Sequence, residues 1–221
     1  MMKEALSRRL FSEALATALL LATIIGSGIM GEKLAGGNDA ISLLGNTLAT
    51  GAMLPVLITL FGPISGAHMN PAVSFGAALL RELAWKDLAP TILAQIVGAI
   101  IGVFCAHLMF DLPLLQVSTK LRLGPAQIFS ESVATFGLIL TILGCMRREP
   151  QFTPVAVGLY ITSAYWFTAS TSFANPAVTI ARTLTDTFAG IAPSGVMPFI
   201  VAQFIGLFAG LGAAKILWPQ K

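Results

Sequence analysis

Charged residues fall in clusters along this chain and leave six uncharged stretches between them, 14–31, 40–80, 88–110, 132–146, 150–181 and 187–214. A helix needs about 20 mostly apolar residues to cross the hydrocarbon core of a bilayer. Four of the stretches fit one crossing each, the 132–146 stretch once it is extended back through Glu131. The other two are too long for a single crossing, and each contains Asn-Pro-Ala, at Asn70-Pro71-Ala72 and at Asn175-Pro176-Ala177. Asn is a favoured N-cap because its side-chain oxygen accepts from an unpaired amide in the first turn. Pro at the next position has no donor to waste and a φ suited to a first turn. Each tripeptide therefore predicts a helix that starts within the membrane. Lipid cannot satisfy the free amides of such a start, so it must line a cavity or be buried in protein. The pattern predicts an all-α membrane protein of six transmembrane helices and two re-entrant half-helices, forming one domain over 1–221.

Composition agrees: 56% of residues are hydrophobic and 10% charged, with a mean hydropathy of +0.83, against roughly 25% charged in soluble domains. The first apolar run is too long for a signal-peptide core and has no clear cleavage site, so it reads as the first crossing. Cytoplasmic loops carry the excess of Lys and Arg. With both termini inside, the cytoplasmic set is Lys3, Arg8, Arg9, Arg81, Lys86, Arg147, Arg148, Lys215 and Lys221; the outer set is Lys33, Lys120, Arg122 and Arg182. Nine against four predicts cytoplasmic termini. The net charge of +3 is then a topology signal and carries no suggestion of nucleic acid. Cys105 and Cys145 have no metal-ligand spacing and read as small core residues. Neither a His-Glu-x-x-His, a Gly-rich phosphate loop nor a Cys cluster occurs; no enzyme, cofactor or metal is implied.

The two halves correspond, with repeat one at about 8–110 and repeat two at about 126–217. Glu13-x-x-x-Thr17 matches Glu131-x-x-x-Thr135, the Asn-Pro-Ala motifs match, and Ala94-Gln95-x-x-Gly98-x-x-x-Gly102 matches Ala202-Gln203-x-x-Gly206-x-x-x-Gly210. Three crossings per half is an odd number, so the second half enters from the opposite side and the repeat is inverted. The half-helices are then expected to meet end to end near the midplane, and the Gly-x-x-x-Gly spacings to allow close approach at the repeat interface.

The doubled Asn-Pro-Ala, the paired Glu-x-x-x-Thr and the run Ser65-Gly66-Ala67-His68-Met69-Asn70-Pro71-Ala72-Val73 resemble the aquaporin and glycerol-facilitator (major intrinsic protein) family over roughly 10–217. The resemblance implies a homotetramer in which each subunit carries its own pore.

Two half-helix N-termini facing one point place about half a positive charge each at the centre, which disfavours cations. Asn70 and Asn175 are expected to cap through oxygen and leave their NH2 groups free to the lumen. Glu13 and Glu131 are costly in a membrane unless satisfied. Their symmetric placement favours acceptance from the re-entrant loop of each half over direct proton or ion coupling. His68 admits two readings, lining the lumen or bracing the loop. His107, alone in the third crossing, reads as a satisfied core histidine.

One place departs from the resembled pattern. The second Asn-Pro-Ala is usually followed by Arg, and here by Val178. The other filter positions fall at Thr50 and Ser172, with Tyr165 on the fifth crossing (Ala164 and Ser163 being alternatives). A filter of Thr50, Tyr165, Ser172 and Val178 implies a wider and less cationic opening than a strict water filter. Arg182, one turn beyond Val178, either carries positive charge to the outer vestibule or pairs with Asp186. The run Asn175-Pro-Ala-Val-Thr-Ile-Ala-Arg182 resembles an atypical bacterial branch of the family associated with metalloid resistance, which implies a bacterial-type inner membrane. The expected function is passive passage of water and small neutral solutes: glycerol-like polyols, urea, and uncharged arsenic or antimony hydroxides. The rivals are an ion-coupled secondary transporter, which also uses inverted repeats, and a structural protein whose pore the loop 111–126 closes.

Overall fold

The computed structural model describes residues 4–219; Lys3 and Lys221 of the cytoplasmic set lie outside the described residues. The chain forms α1 (Leu6–Leu34), α2 (Asp39–Ser65), α3 (Pro71–Leu79), α4 (Trp85–Met109), α5 (Pro125–Arg148), α6 (Thr153–Phe167), α7 (Pro176–Ala181) and α8 (Val196–Leu217), with no strand among the described residues. Outward-facing apolar side chains such as Leu48, Ile101, Phe129 and Ile205 are stable only against hydrocarbon or another apolar surface.

Five helical segments have the length and hydropathy to cross a bilayer. The sixth, α6, has only 15 residues and rises about 22 Å. The 3-10 turn Pro150–Phe152 in front of it adds about 6 Å, bringing the pair close to the roughly 30 Å needed. At its far end the Thr168 hydroxyl turns back onto the Ala164 carbonyl at 2.6 Å, and the chain leaves in extended geometry. The two half-helices α3 and α7 have 9 and 6 residues, too short to cross.

Within the first half α1 packs on α4 and α2; within the second α5 packs on α8 and α6; α2 meets α6 between the halves. The Gly-x-x-x-Gly motifs lie inside the halves, which corrects the expectation of a role at the interface between them. A Cβ at Gly98 would stand 2.1 Å from the Ala14 carbonyl of α1, and one at Gly206 2.2 Å from the Ser132 carbonyl of α5. Each motif thus allows the third long helix of its half to touch the first, backbone to backbone. Cys105 is exposed and Cys145 only half-buried, so neither is a core residue: both stand on helix faces turned away from the packed centre.

Both described chain ends lie at one face of the bundle. There Arg9 pairs with Asp87 at 2.7 Å, and the Arg147 guanidinium donates to the Trp218 carbonyl. At the opposite face the segment between α4 and α5 is tied to the segment after α7. Ser118 donates its amide to Thr183, Ala192 donates to Lys120, and the Lys120 ammonium donates to Phe188.

Candidate permeation pathway

The two half-helices begin against each other at the centre of the bundle. The Asn70 side-chain oxygen accepts from Ala72 N at 2.9 Å, and that of Asn175 accepts from Ala177 N at 3.0 Å and Val178 N at 3.3 Å. The amide nitrogens are not wholly free, as the sequence reading had them. Asn70 Nδ2 donates to the Ala174 carbonyl at 2.8 Å, and Asn175 Nδ2 donates to the Met69 carbonyl at 2.7 Å. Each Asn therefore caps its own helix and clasps the residue that precedes the other Asn. One N–H of each amide remains outside this pair of bonds.

Backbone geometry on the two approaches is also paired. Ala67 and Met69 have φ of 48° and 49°, and their counterparts Ser172 and Ala174 have 49° and 46°. The left-handed region costs an L-residue roughly 1–2 kcal/mol, so something must hold these loops. The buried carboxylates stand where they can. Glu13 accepts from the amides of His68 at 2.9 Å and Met69 at 2.8 Å, and from Ser65 Oγ and Gln95 Nε2 at 2.7 Å each. Glu131 accepts from the amides of Phe173 and Ala174 at 2.8 Å each and from Gln203 Nε2 at 2.6 Å. Gln95 and Gln203 also donate to Ser74 Oγ and Thr179 Oγ1, inside α3 and α7. The glutamines link first helix, loop and half-helix in each repeat. Their repeated Ala-Gln setting was visible in the sequence, but only its glycines were given a task.

A cavity of about 390 Å³ runs past this junction. Toward the face with the chain ends it is lined by Leu80, Glu82, Leu143, Met146 and Thr153, and toward the opposite face by Thr50, Tyr165, Ser172, Val178 and Arg182. Asn70, Asn175 and His68 line it between. His68 borders the cavity, and its Nδ1 shares a 3.1 Å hydrogen bond with Ser74 Oγ. His107 is buried, bonded to the Leu114 carbonyl and Thr185 Oγ1. Of the three candidates on α6, Tyr165 borders the cavity, with its hydroxyl 3.4 Å from Thr50 Oγ1. Ser163 is exposed on the outside of the bundle, and Ala164 is buried away from the cavity. No residue of the 111–124 loop is among those lining the cavity.

Arg182 is 2% exposed and is not paired with Asp186, whose carboxylate instead accepts from Thr119 N and Thr119 Oγ1. Arg182 Nε donates to the Ala189 carbonyl, and its guanidinium carbon lies 3.5 Å from the centroid of the Phe173 ring. Nη1 of the same group is buried without a protein partner, as is the Ser172 hydroxyl. A second buried arginine approaches the same ring. Arg122 donates from Nε to the Gly190 carbonyl at 3.0 Å and from Nη1 to the Ser170 carbonyl at 3.2 Å, with its guanidinium carbon 5.2 Å from the Phe173 centroid. Burial holds the Arg122 guanidinium below the usual arginine range, opposed by Glu131 and Tyr165. Neither Phe173 nor Arg122 stood out in the sequence, because their significance is a meeting of residues some fifty positions apart.

Membrane-crossing helices around a cavity, with two half-helix ends meeting at its middle and both membrane carboxylates bonded to backbone, define a passive channel for water and small solutes. The Major intrinsic protein family profile matches residues 1–172. The chain is 52% identical over 217 residues to aquaglyceroporin AqpS of Rhizobium meliloti (strain 1021), spanning 98% of this chain and 93% of that protein. It is 31% identical over 213 residues to aquaporin NIP2-2 of Zea mays, spanning 93% and 69% respectively. Its fold resembles the crystal structure of the aquaglyceroporin from Plasmodium falciparum, with a TM-score of 0.74 at 20% identity over 97% of this chain and 98% of that one. The chain belongs to the major intrinsic protein family. It is a multi-pass membrane channel and not an enzyme.

Proposed function

We propose that this channel passes neutral solutes wider than water, including glycerol-like polyols, urea and the uncharged hydroxides of arsenic and antimony. The observation that carries the reading is Val178, a short apolar side chain on the outer cavity wall at the position where the resembled pattern puts an arginine. With Thr50, Tyr165 and Ser172 it makes a filter that is part apolar and part hydroxyl, suited to solutes that carry both carbon or metalloid surface and hydroxyl groups. AqpS, 52% identical, carries the name aquaglyceroporin, which supports the glycerol part of the proposal.

In this reading Asn70 and Asn175 orient each passing oxygen with the one N–H that their mutual clasp leaves over. The aligned ends of α3 and α7 repel cations at that point. Glu13 and Glu131 act as braces, and Arg182 supplies positive charge one turn outward from Val178. The protein works as a homotetramer in a bacterial-type inner membrane with both termini cytoplasmic. Osmotic swelling of proteoliposomes across a panel of solutes tests the proposal. Glycerol, urea and arsenite rates well above those of empty liposomes are expected, and solute-driven swelling no faster than in empty liposomes refutes it.

A further inference from the structure

Arg182 lines the outer end of the cavity and its Nη1 is buried with no protein partner, and the means of fixing its position comes from elsewhere in the chain. An arginine side chain has several rotatable bonds, so a lumen-facing guanidinium needs external anchors to define a filter. Arg182 has two: the Ala189 carbonyl on Nε, and the Phe173 ring against the guanidinium plane. Phe173 is itself fixed by the hydrogen bond its backbone amide donates to the Glu131 carboxylate and by an edge contact with Phe199, centroid to centroid 5.3 Å.

Arg122 meets one of these anchors, the Phe173 ring, and the neighbour of the other. Its Nε takes the Gly190 carbonyl, next along the chain from the one Arg182 holds, and its Nη1 takes the Ser170 carbonyl, three residues before Phe173. Its guanidinium lies against the Phe173 ring as well. It is 7% exposed and shows no carboxylate partner among the described ion pairs. The Gly190 backbone is itself closely packed, since a Cβ there would stand 2.3 Å from Ser118 Oγ and 2.4 Å from the Thr185 carbonyl. Two like charges beside one ring repel, and both are tied to consecutive carbonyls. The tie, the ring and the repulsion together fix the Arg182 guanidinium in place at the cavity wall that this residue lines.

We propose that Arg122, from the loop between α4 and α5, is a specificity-determining positioning residue that acts through Phe173 and the 189–190 segment to hold Arg182 on the lumen. The proposal rests on Arg182 facing the pathway as in the function proposed above. Arg122 touches no permeating molecule; it sets which oxygen-bearing solutes meet the Arg182 donors, and with what geometry.

The test is a cycle of variants in proteoliposomes, reading the swelling rate for glycerol, urea and a small weak acid such as acetic acid, each relative to water. Arg122→Gln is expected to shift at least one of these ratios by about threefold or more, a size ordinary for directly coupled residues. The shift should take the direction that Arg182→Ala gives. Arg122→Lys keeps the charge but not the forked bonds, and should recover only part of the wild-type ratio. In the Arg182→Ala background, Arg122→Gln should change nothing further, which a merely structural loop anchor would not satisfy. If Arg122→Gln yields little folded protein, Phe173→Leu removes the shared ring while leaving the loop bonds in place and should shift the same ratio. Unchanged ratios in folded Arg122→Gln or Phe173→Leu, or full additivity with Arg182→Ala, overturn the proposal. A wild type that excludes glycerol and urea would instead overturn the function proposed above.

Discussion

Glu131→Ala is the perturbation whose cost the structure allows to be worked out most fully. It removes the acceptor of three buried donors, the amides of Phe173 and Ala174 and the Gln203 side chain. A buried donor left unpaired costs about 1–3 kcal/mol, so the three come to about 3–9 kcal/mol if none finds water. The same bonds hold Thr171, Ser172 and Ala174 at φ of 62°, 49° and 46°, which the loop has little reason to keep without them. Typical domains have about 5–15 kcal/mol in total, so most of the stability is at stake. Glu131→Gln retains one acceptor oxygen. Placed where Oε2 now stands it serves Ala174 and Gln203, while its NH2 faces the Phe173 amide; about one donor is lost, or about 1–3 kcal/mol. By the scaling of soluble domains, roughly 2–4 °C per kcal/mol, the Gln variant should melt several degrees below wild type. The Ala variant should melt at least about 6 °C lower or fail to fold. Size-exclusion chromatography of heated detergent samples reads this directly. Solute flux per folded Gln variant should also be unchanged when a proton gradient is dissipated. An Ala variant that melts with wild type, or a flux that follows the gradient, would refute the bracing argument and favour a coupled transporter.

Asn70→Asp and Asn175→Asp keep the helix cap but lose the donor to the opposite loop and add negative charge at the facing helix ends. Proton leak, followed with a pH-sensitive dye inside liposomes, should rise in both, tenfold for each roughly 1.4 kcal/mol taken from the cation barrier; equal leak would show that the amides do not face the lumen. Arg182→Ala should reduce passage of weakly acidic solutes relative to water while leaving urea little changed. An unaltered acid-to-water ratio would remove Arg182 from the pathway. Gln203→Leu, which removes the link between Glu131 and Thr179, should cost about 1–3 kcal/mol in a melting assay, and a neutral result would show that the link is idle.

How much of this was legible in the chain follows from the range of each interaction. The half-helices were readable because Asn-Pro is a local signal, complete within two residues, and because length alone forbids 40–80 from being one crossing. The carboxylate braces were half readable: Glu13 and Glu131 announce themselves as charges where charge is expensive. Their partners at His68, Met69, Phe173 and Ala174 are backbone amides that no side-chain pattern marks. The clasp of Asn70 on Ala174 was hidden for the same reason, since any residue supplies a carbonyl. The Gly-x-x-x-Gly motifs predicted close packing but not its partner, because a small residue says only that something approaches. Arg182 divided two readings because helix spacing permits Asp186 to pair with it. The turn out of α7 decides the matter by carrying Asp186 to Thr119.

Val178 carries the proposed solute range most directly. In matched proteoliposomes, stopped-flow swelling rates of wild type and Val178→Arg should be compared for glycerol, uncharged arsenite and water, with Val178→Leu as a control for bulk without charge. Wild type is expected to pass glycerol and arsenite. The arginine variant is expected to cut both by about tenfold or more, equivalent to roughly 1.4 kcal/mol of added barrier, while water falls much less, because a long planar side chain across the lumen still leaves a single file. A wild type that already excludes glycerol and arsenite, or an arginine variant whose ratios to water match wild type, would contradict the claim that residue 178 stands in the filter.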